Sequence, residues 1–279
     1  MIELSRNITF GQYINNGSIL TRLDPRAKLL SAVLLIFSFS YVSSFTALAL
    51  CLLFCIFLQW NSHLSVSYVL RGFRFIVIFL SFLYILQVVF YYSPTQHTTL
   101  IWHWGIFTVS WEGILRSALT IIRILFLFYL ASMLMFTTAL VDLTDGSEVL
   151  LSPLQKLGVP VNAMVMVLVI AFKFVPILVM EIERLIKAQA ARGASFTRGN
   201  LAQRVTRLAS LLIPLFVSAF RRAEALTIAM EARCYAGGLR GWRRSKRREM
   251  HFKRFDALSL AFTIIFCVVT IIVNLVARY

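Results

Sequence analysis

The stretch PVNAMVMVLVIAFKFVPILVMEIERLIKAQAARG, residues 160–193, decides how the chain is organised. Its first part, Val161 to Met180, is apolar enough to cross a bilayer, whereas its second part, Glu181 to Arg192, carries several charges. An apolar helix that continues into a charged end is typical of a segment that leaves the membrane. The rest of the sequence indicates the side on which it leaves.

The composition places the chain in a membrane. Of its 279 residues, 59% are hydrophobic and 14% are charged, which is far more apolar surface than a water-soluble domain of this length can bury. The segment from Met1 to Lys28 is polar, contains four basic residues and lacks the apolar run of a secretory signal. We therefore expect an integral protein of the cell membrane that keeps its N-terminus in the cytoplasm.

The distribution of charge predicts the topology. The net charge of +16 would suggest nucleic acid as a partner in a soluble protein, but 17 of the 28 Lys and Arg lie in residues 183–254. Residues 91–111 contain no Lys, Arg, Asp or Glu. Because basic segments stay on the cytoplasmic side, the first range is predicted inside and the second outside, and no nucleic-acid partner is expected.

Apolar runs predict an all-α fold with about five transmembrane helices and long amphipathic cytoplasmic helices. Three of the predicted spans reach the roughly 20 residues that cross the hydrocarbon, and the first two are a little shorter. The predicted spans cover residues 27–42, 45–60, 73–92, 113–140 and 255–276.

Four of these spans return the chain to the cytoplasm before residue 161. If Val161 to Met180 also crossed, the basic residues that follow would lie outside, so we expect this helix to enter the bilayer obliquely or to lie along it. A second helix of the same kind is predicted from Asn200 to Cys234, and Pro176 and Pro214 are expected to bend the two helices. The predicted regions are a cytoplasmic N-terminal segment (1–26), a four-helix membrane region (27–140), a cytoplasmic coupling region (141–254) and a C-terminal span (255–279).

Two similar tripeptides end the helices of the predicted coupling region. They are Ala191-Arg192-Gly193 and Ala232-Arg233-Cys234. Arginine is always charged and offers a rigid fork of donors for carboxylates or backbone carbonyls, while small neighbours let a partner approach closely. A structural interpretation also stands, in which Gly193 caps the helix in a left-handed conformation and Arg192 complements the helix dipole. Two matching ends favour a docking function.

Two charges lie inside apolar runs. An ionisable residue within a membrane is a functional candidate by default, and Arg123 and Lys173 are such residues. The structural alternative is that Lys173 extends its amine from an oblique helix towards water and that Arg123 pairs inside the helix bundle.

Catalytic and metal-binding motifs are missing from the sequence. Asp142, Asp145 and Glu148 allow a metal site, but acids beside Thr144 more often begin a helix. The four histidines show no ligand spacing, and no phosphate-binding or hydrolase motif occurs. We predict no catalytic residue, no metal site and no cofactor.

Four stretches of the sequence, taken together, resemble those of a known family. The residues that carry the resemblance are Leu23-Asp24-Pro25-Arg26-Ala27-Lys28-Leu29, Leu151-Ser152-Pro153-Leu154 with Leu157-Gly158-Val159-Pro160, Lys187 to Ala194, and Phe216 to Ala223 with Ala229 to Arg233. In combination they look like the transmembrane T component of energy-coupling factor (ECF) importers for vitamins and transition-metal ions.

The resemblance implies a non-catalytic subunit that links two cytoplasmic ATP-binding subunits to a small substrate-binding membrane subunit, the S component. Arg192 and Arg233 match the two arginines that dock on the ATPases in that family. One position departs from the pattern, since the second motif usually ends in glycine. Because Cys234 is strained in a left-handed cap, we expect that helix to end later, at Gly237-Gly238.

Two other classes of function stay open from the sequence alone. One is a self-contained permease or channel, which would transport without partner subunits. The other is an intramembrane enzyme that uses Asp142, Asp145, Glu148 or a histidine. The transported substrate cannot be read from these residues.

Overall fold

The structure is a computed structural model that describes residues 17–90, 100–104, 107–193, 201–235 and 252–277. The chain forms two compact units. Among the described residues, one unit lies within 17–139 and 252–277, and the other lies within 140–235.

The first unit is a helical bundle with one small hairpin. Its elements, in chain order, are α1 (Ile19–Arg22), α2 (Pro25–Tyr41), α3 (Phe45–Ser62), α4 (Val66–Phe90), β1 (Leu100–Trp104), β2 (Phe107–Ser110), α5 (Trp111–Thr137) and α9 (Arg254–Val276). The second unit contains α6 (Leu140–Leu151), a 3₁₀ turn (Ser152–Leu157), α7 (Val161–Ala191) and α8 (Leu201–Ala232).

Short polar side chains begin the helices of the first unit. Asp24 accepts a hydrogen bond from the backbone N–H of Arg26 at 2.9 Å, and Pro25 occupies the first helical position of α2. Ser44 and Ser110 cap α3 and α5 in the same way. Because the first N–H groups of a helix have no partner within it, these caps fix where each apolar helix starts.

Aromatic rings form the centre of this unit. The rings of Phe54 on α3 and Phe266 on α9 stack with their centroids 4.0 Å apart, and Phe39 on α2 meets Phe54 edge-on at 6.4 Å. Cys51 and Cys55 are buried in the same cluster as free thiols. The core is therefore shared by α2, α3, α5 and α9.

Two buried polar side chains fasten α9 to α2 at both ends. Asp256, 3% exposed, accepts from the backbone N–H of Asp24 at 2.8 Å at the start of α2. Asn274, 1% exposed, accepts from the backbone N–H of Ser43 (2.8 Å) and Ser44 (3.1 Å) in the turn after α2. The two helices thus run parallel, and each end is fixed by an acceptor that is otherwise costly to bury.

A buried lysine joins α2 to α5. Lys28 is 6% exposed, and its Nζ donates to the carbonyl of Thr137 at 3.0 Å and to the hydroxyl of Thr138 at 3.4 Å. Since the last carbonyls of a helix carry partial negative charge, a cation at this position stabilises the end of α5.

Each predicted span is helical over most of its described residues, although α5 ends at Thr137 and not at Leu140. Within the described residues, four helices are long and apolar enough to cross a membrane: α3, α5, α7 and α9. Helix α2 has 17 residues, and the apolar part of α4, Ile76–Phe90, is also shorter. The all-α membrane fold is confirmed.

The connection between α4 and α5 contains an element that we did not predict. Strands β1 and β2 pair antiparallel, with Trp102 opposite Val109 and His103 opposite Thr108. Aromatic and β-branched residues favour extended backbone, which explains why this segment pairs with itself instead of extending a helix.

Candidate functional site

The first candidate helix end is Ala191-Arg192-Gly193, at the C-terminus of α7. Arg192 is the C-cap residue, and its backbone N–H donates to the carbonyl of Gln189 at 3.1 Å. Gly193 follows with φ of +84° and donates to Ala190 at 3.0 Å. An added Cβ at Gly193 would meet nothing within 4 Å, so its backbone angle, not crowding, favours glycine there.

The second end, Ala232-Arg233-Cys234, repeats this geometry at the C-terminus of α8. The N–H of Arg233 donates to Met230 at 3.1 Å, and the N–H of Cys234 donates to Glu231 at 2.8 Å. Cys234 has φ of +56°, and Tyr235 donates back to Met230 at 3.0 Å. The bonds from Cys234 to Glu231 and from Tyr235 to Met230 together form a Schellman motif, which closes the end of the helix.

The expected later end at Gly237-Gly238 is therefore wrong. Helix α8 ends at Ala232, and Cys234 itself adopts the left-handed conformation. The two Schellman hydrogen bonds satisfy carbonyls that would otherwise be left without partners, and this compensates for the strain of a side chain at positive φ. Gly237 and Gly238 lie outside the described residues.

The structural interpretation of Gly193 as a left-handed cap is thus confirmed, and it does not compete with docking. At both ends the arginine precedes the left-handed residue, and all six residues of the two tripeptides are exposed. Each helix therefore stops abruptly beside an exposed guanidinium that has small or short neighbours. Such an end can enter a recess on another protein and form several charge-assisted hydrogen bonds there.

An ion pair that the sequence analysis did not identify joins the two helices. Arg222 Nη2 on α8 lies 3.0 Å from Glu181 Oε2 on α7. Glu181 stands ten residues before Ala191, and Arg222 stands ten residues before Ala232. At 1.5 Å per residue, each helix end is about 15 Å beyond this contact along its own axis. The equal spacing of Glu181 and Arg222 from the two helix ends is visible in the sequence and could have suggested that the two side chains pair.

Both helices also expose large apolar side chains. On α7 they include Met164, Val167 and Leu168. On α8 they include Ile213, Phe216 and Phe220. Exposed apolar surface of this kind fits contact with lipid or with another membrane protein.

The two intramembrane candidates differ in environment. Lys173 on α7 is exposed. Arg123 on α5 is partly buried, and its Nε is buried without a hydrogen-bond partner in the part of the chain that the structure describes. The predicted internal pairing of Arg123 therefore finds no support there, and the exposure of Lys173 is compatible with an amine that reaches water.

Of the three acidic residues of α6, only Asp142 lies at the helix start, so the prediction that Asp145 also begins a helix is wrong. Asp142 lies in the first turn of α6, where carboxylates interact favourably with free N–H groups, and Asp145 and Glu148 follow within the same helix. No group of three or more His, Cys, Asp or Glu among the described residues could hold a metal ion.

Long apolar helices and a small number of exposed basic helix ends define a helical, multi-pass membrane protein. Comparison with known proteins identifies the family of membrane proteins to which the chain belongs. The chain matches the family model CbiQ, described as "Cobalt transport protein", over residues 16–246, and it belongs to that family.

Curated relatives carry a more specific name. The chain is 39% identical over 265 residues to the energy-coupling factor transporter transmembrane protein EcfT of Ruminiclostridium cellulolyticum, covering 94% of this chain and 95% of the relative. It is 38% identical to EcfT of Brevibacillus brevis, with 95% and 97% covered, and 35% identical to EcfT of Bacillus subtilis, with 83% and 86% covered. The chain is thus the transmembrane coupling subunit of an ECF transporter, and it belongs to a family that is not known to be catalytic.

Proposed function

We propose that Arg192 and Arg233 are the residues through which this subunit docks on two cytoplasmic ATP-binding subunits, one arginine for each. On this proposal α7 and α8 transmit the ATP-driven movement of those subunits to an S component that packs on the exposed apolar faces. The S component then takes up a vitamin or a transition-metal ion. The N-terminus and the coupling region, 141–254, face the cytoplasm, and Val161 to Met180 enters the bilayer obliquely or lies along it without crossing.

The observation that carries this proposal is the identical ending of α7 and α8. Both place an exposed arginine at the C-cap position and a left-handed residue directly after it. Stability alone does not require arginine at the C-cap, because Gly193 and Cys234 already close the two helix ends. Two arginines in the same local geometry fit two partners with similar recesses.

Charge reversal tests the docking residues. Arg192→Glu and Arg233→Glu each place an anion in a recess that accepts a cation, a change that costs several kcal/mol in a buried contact. We expect each single variant to retain one ATP-binding subunit on co-purification from native membranes, and the double variant to lose both. Arg→Lys at either position should give an intermediate yield, because lysine keeps the charge and loses the fork.

Arg184→Glu and Arg221→Glu are matched controls. Both arginines are exposed on the same two helices but away from the ends, so reversal there should leave the co-purified subunits unchanged. If the double Arg192→Glu, Arg233→Glu variant inserts normally and still co-purifies with both ATP-binding subunits at wild-type yield, these arginines are not the docking residues. Purification without any nucleotide-binding subunit would instead favour a self-contained permease.

A further inference from the structure

A cavity of about 370 Å³ lies within the first unit, among α1, α2, α3, α5 and α9. It is as large as the smaller ligand pockets of proteins, and it takes no part in the docking proposed for α7 and α8. All of its lining residues belong to the membrane bundle and its short N-terminal helix.

The lining is apolar along most of its length. Leu23 lines it from the turn before α2, Leu35 from α2, Phe54 from α3 and Phe262 from α9. Water is a poor occupant because such walls offer few hydrogen-bond partners. Phe57 and Leu258 also line the cavity and are 49% and 69% exposed, so the cavity has an open margin through which a long apolar chain can enter.

One end of the cavity is cationic. Lys28 lines it, and the exposed residues Arg22 and Arg254 directly adjoin its lining residues Leu23 and Phe255 in sequence, with the exposed Lys253 one position further from Phe255. Two acids lie in the same region, Asp24 and Asp256, but both are buried and both accept hydrogen bonds from backbone N–H groups. Four basic residues against two acids leave this end positive.

We propose that the cavity binds one anionic phospholipid, with an acyl chain against the walls formed by Phe54 and Phe262 and the phosphate headgroup at Arg22, Lys253 and Arg254. An apolar cavity with a basic end, located between membrane helices at a basic helix start, is the arrangement that binds acidic headgroups on the cytoplasmic side. The occupant joins α1, α2, α3, α5 and α9, which are the elements that surround the cavity.

Native mass spectrometry tests the proposal. The full chain, with the subunits that purify with it, is placed in nanodiscs of equal parts phosphatidylglycerol and phosphatidylcholine and then released in mild detergent. We expect wild-type protein to retain one phosphatidylglycerol in clear preference to phosphatidylcholine. The triple variant Arg22→Gln, Lys253→Gln, Arg254→Gln should lose that preference by roughly a hundredfold, since each of the three basic residues near an anionic surface contributes on the order of fivefold.

A second variant separates the acyl chain from the headgroup. Ser259→Phe fills the cavity from α9 and should abolish retention of either lipid, whereas Ile265→Phe, on an exposed position of α9 outside the lining, should not. The proposal is overturned if the wild type retains the two lipids equally or retains neither. It is also overturned if the retention of phosphatidylglycerol is unchanged in both the triple variant and Ser259→Phe. The triple variant leaves the core intact, so the test stands even if Ser259→Phe folds poorly.

Discussion

At the scale of single residues, the two helix ends differ in one respect that can be measured. Gly193 adopts positive φ without strain, whereas Cys234 holds a side chain in the same region. A non-glycine residue there costs about 1–2 kcal/mol, partly offset by the greater flexibility of glycine in the unfolded chain. We therefore expect Cys234→Gly to stabilise the end of α8 by about 0.5–1 kcal/mol. This should be seen as slower amide hydrogen exchange at position 234 and at Tyr235.

Two substitutions check the cause of this effect. Cys234→Ala keeps the left-handed strain and should leave exchange unchanged, and Gly193→Ala should speed exchange at the end of α7 by introducing the same strain. If Cys234→Ala protected the helix end as well as Cys234→Gly, the thiol and not the backbone would be responsible.

At the scale of helices, the Glu181–Arg222 pair sets how α7 and α8 meet. Arg222 is 39% exposed and Glu181 18%, so the pair contributes at most about 1 kcal/mol to stability, and its main effect is to define the point of contact. We expect Arg222→Glu to lower transport per ATP hydrolysed while both of the proposed ATP-binding subunits remain bound. The double exchange Glu181→Arg, Arg222→Glu should restore coupling in reconstituted vesicles.

Arg221→Glu serves as the control for this experiment, since the neighbouring side chain makes the same charge change without breaking the pair. A normal ratio of transport to ATP hydrolysis in the Arg222→Glu variant would show that the contact does not set the coupling geometry.

The two polar attachments of α9 also act at this scale. Asp256→Asn removes one of two carboxylate acceptors and turns an amide group towards a backbone N–H, which costs about 1–3 kcal/mol in a buried site. We expect a lower midpoint of thermal unfolding in detergent. Thr270→Val is a suitable control because the Thr270 hydroxyl, though buried, bonds only to a carbonyl of its own helix in the structure. An unchanged midpoint for Asp256→Asn would contradict the role of this contact.

Local sequence patterns predicted the helices well but did not predict their mutual contacts. Apolar runs located α2, α3, α4, α5 and α9. By contrast, Asp256 and Asn274 look like isolated polar residues, and their partners lie more than 200 positions away. The left-handed Cys234 was missed because propensity rules favour glycine, whereas the hydrogen bonds around the helix end decide the outcome.

At the scale of the whole molecule, the topology remains a prediction. In a variant without native cysteines, a cysteine at Thr98 should react with an impermeant reagent from outside, and cysteines at Ser195 or Ser245 should not, because basic segments stay inside. All three positions lie outside the described residues. External labelling at Ser195 would mean that α7 crosses the bilayer, and the proposed cytoplasmic coupling region would have to be abandoned.

The attachment of α9 to α2 has a consequence for how the protein is made. The N–H groups of Ser43 and Ser44 receive their acceptor from Asn274, which leaves the ribosome some 230 residues later. Until then the turn between α2 and α3 lacks the acceptor that the complete chain provides for these two N–H groups. Nascent chains that stop before α9 should therefore be preferred substrates for membrane proteases, so that completion of the last helix acts as a checkpoint on the first.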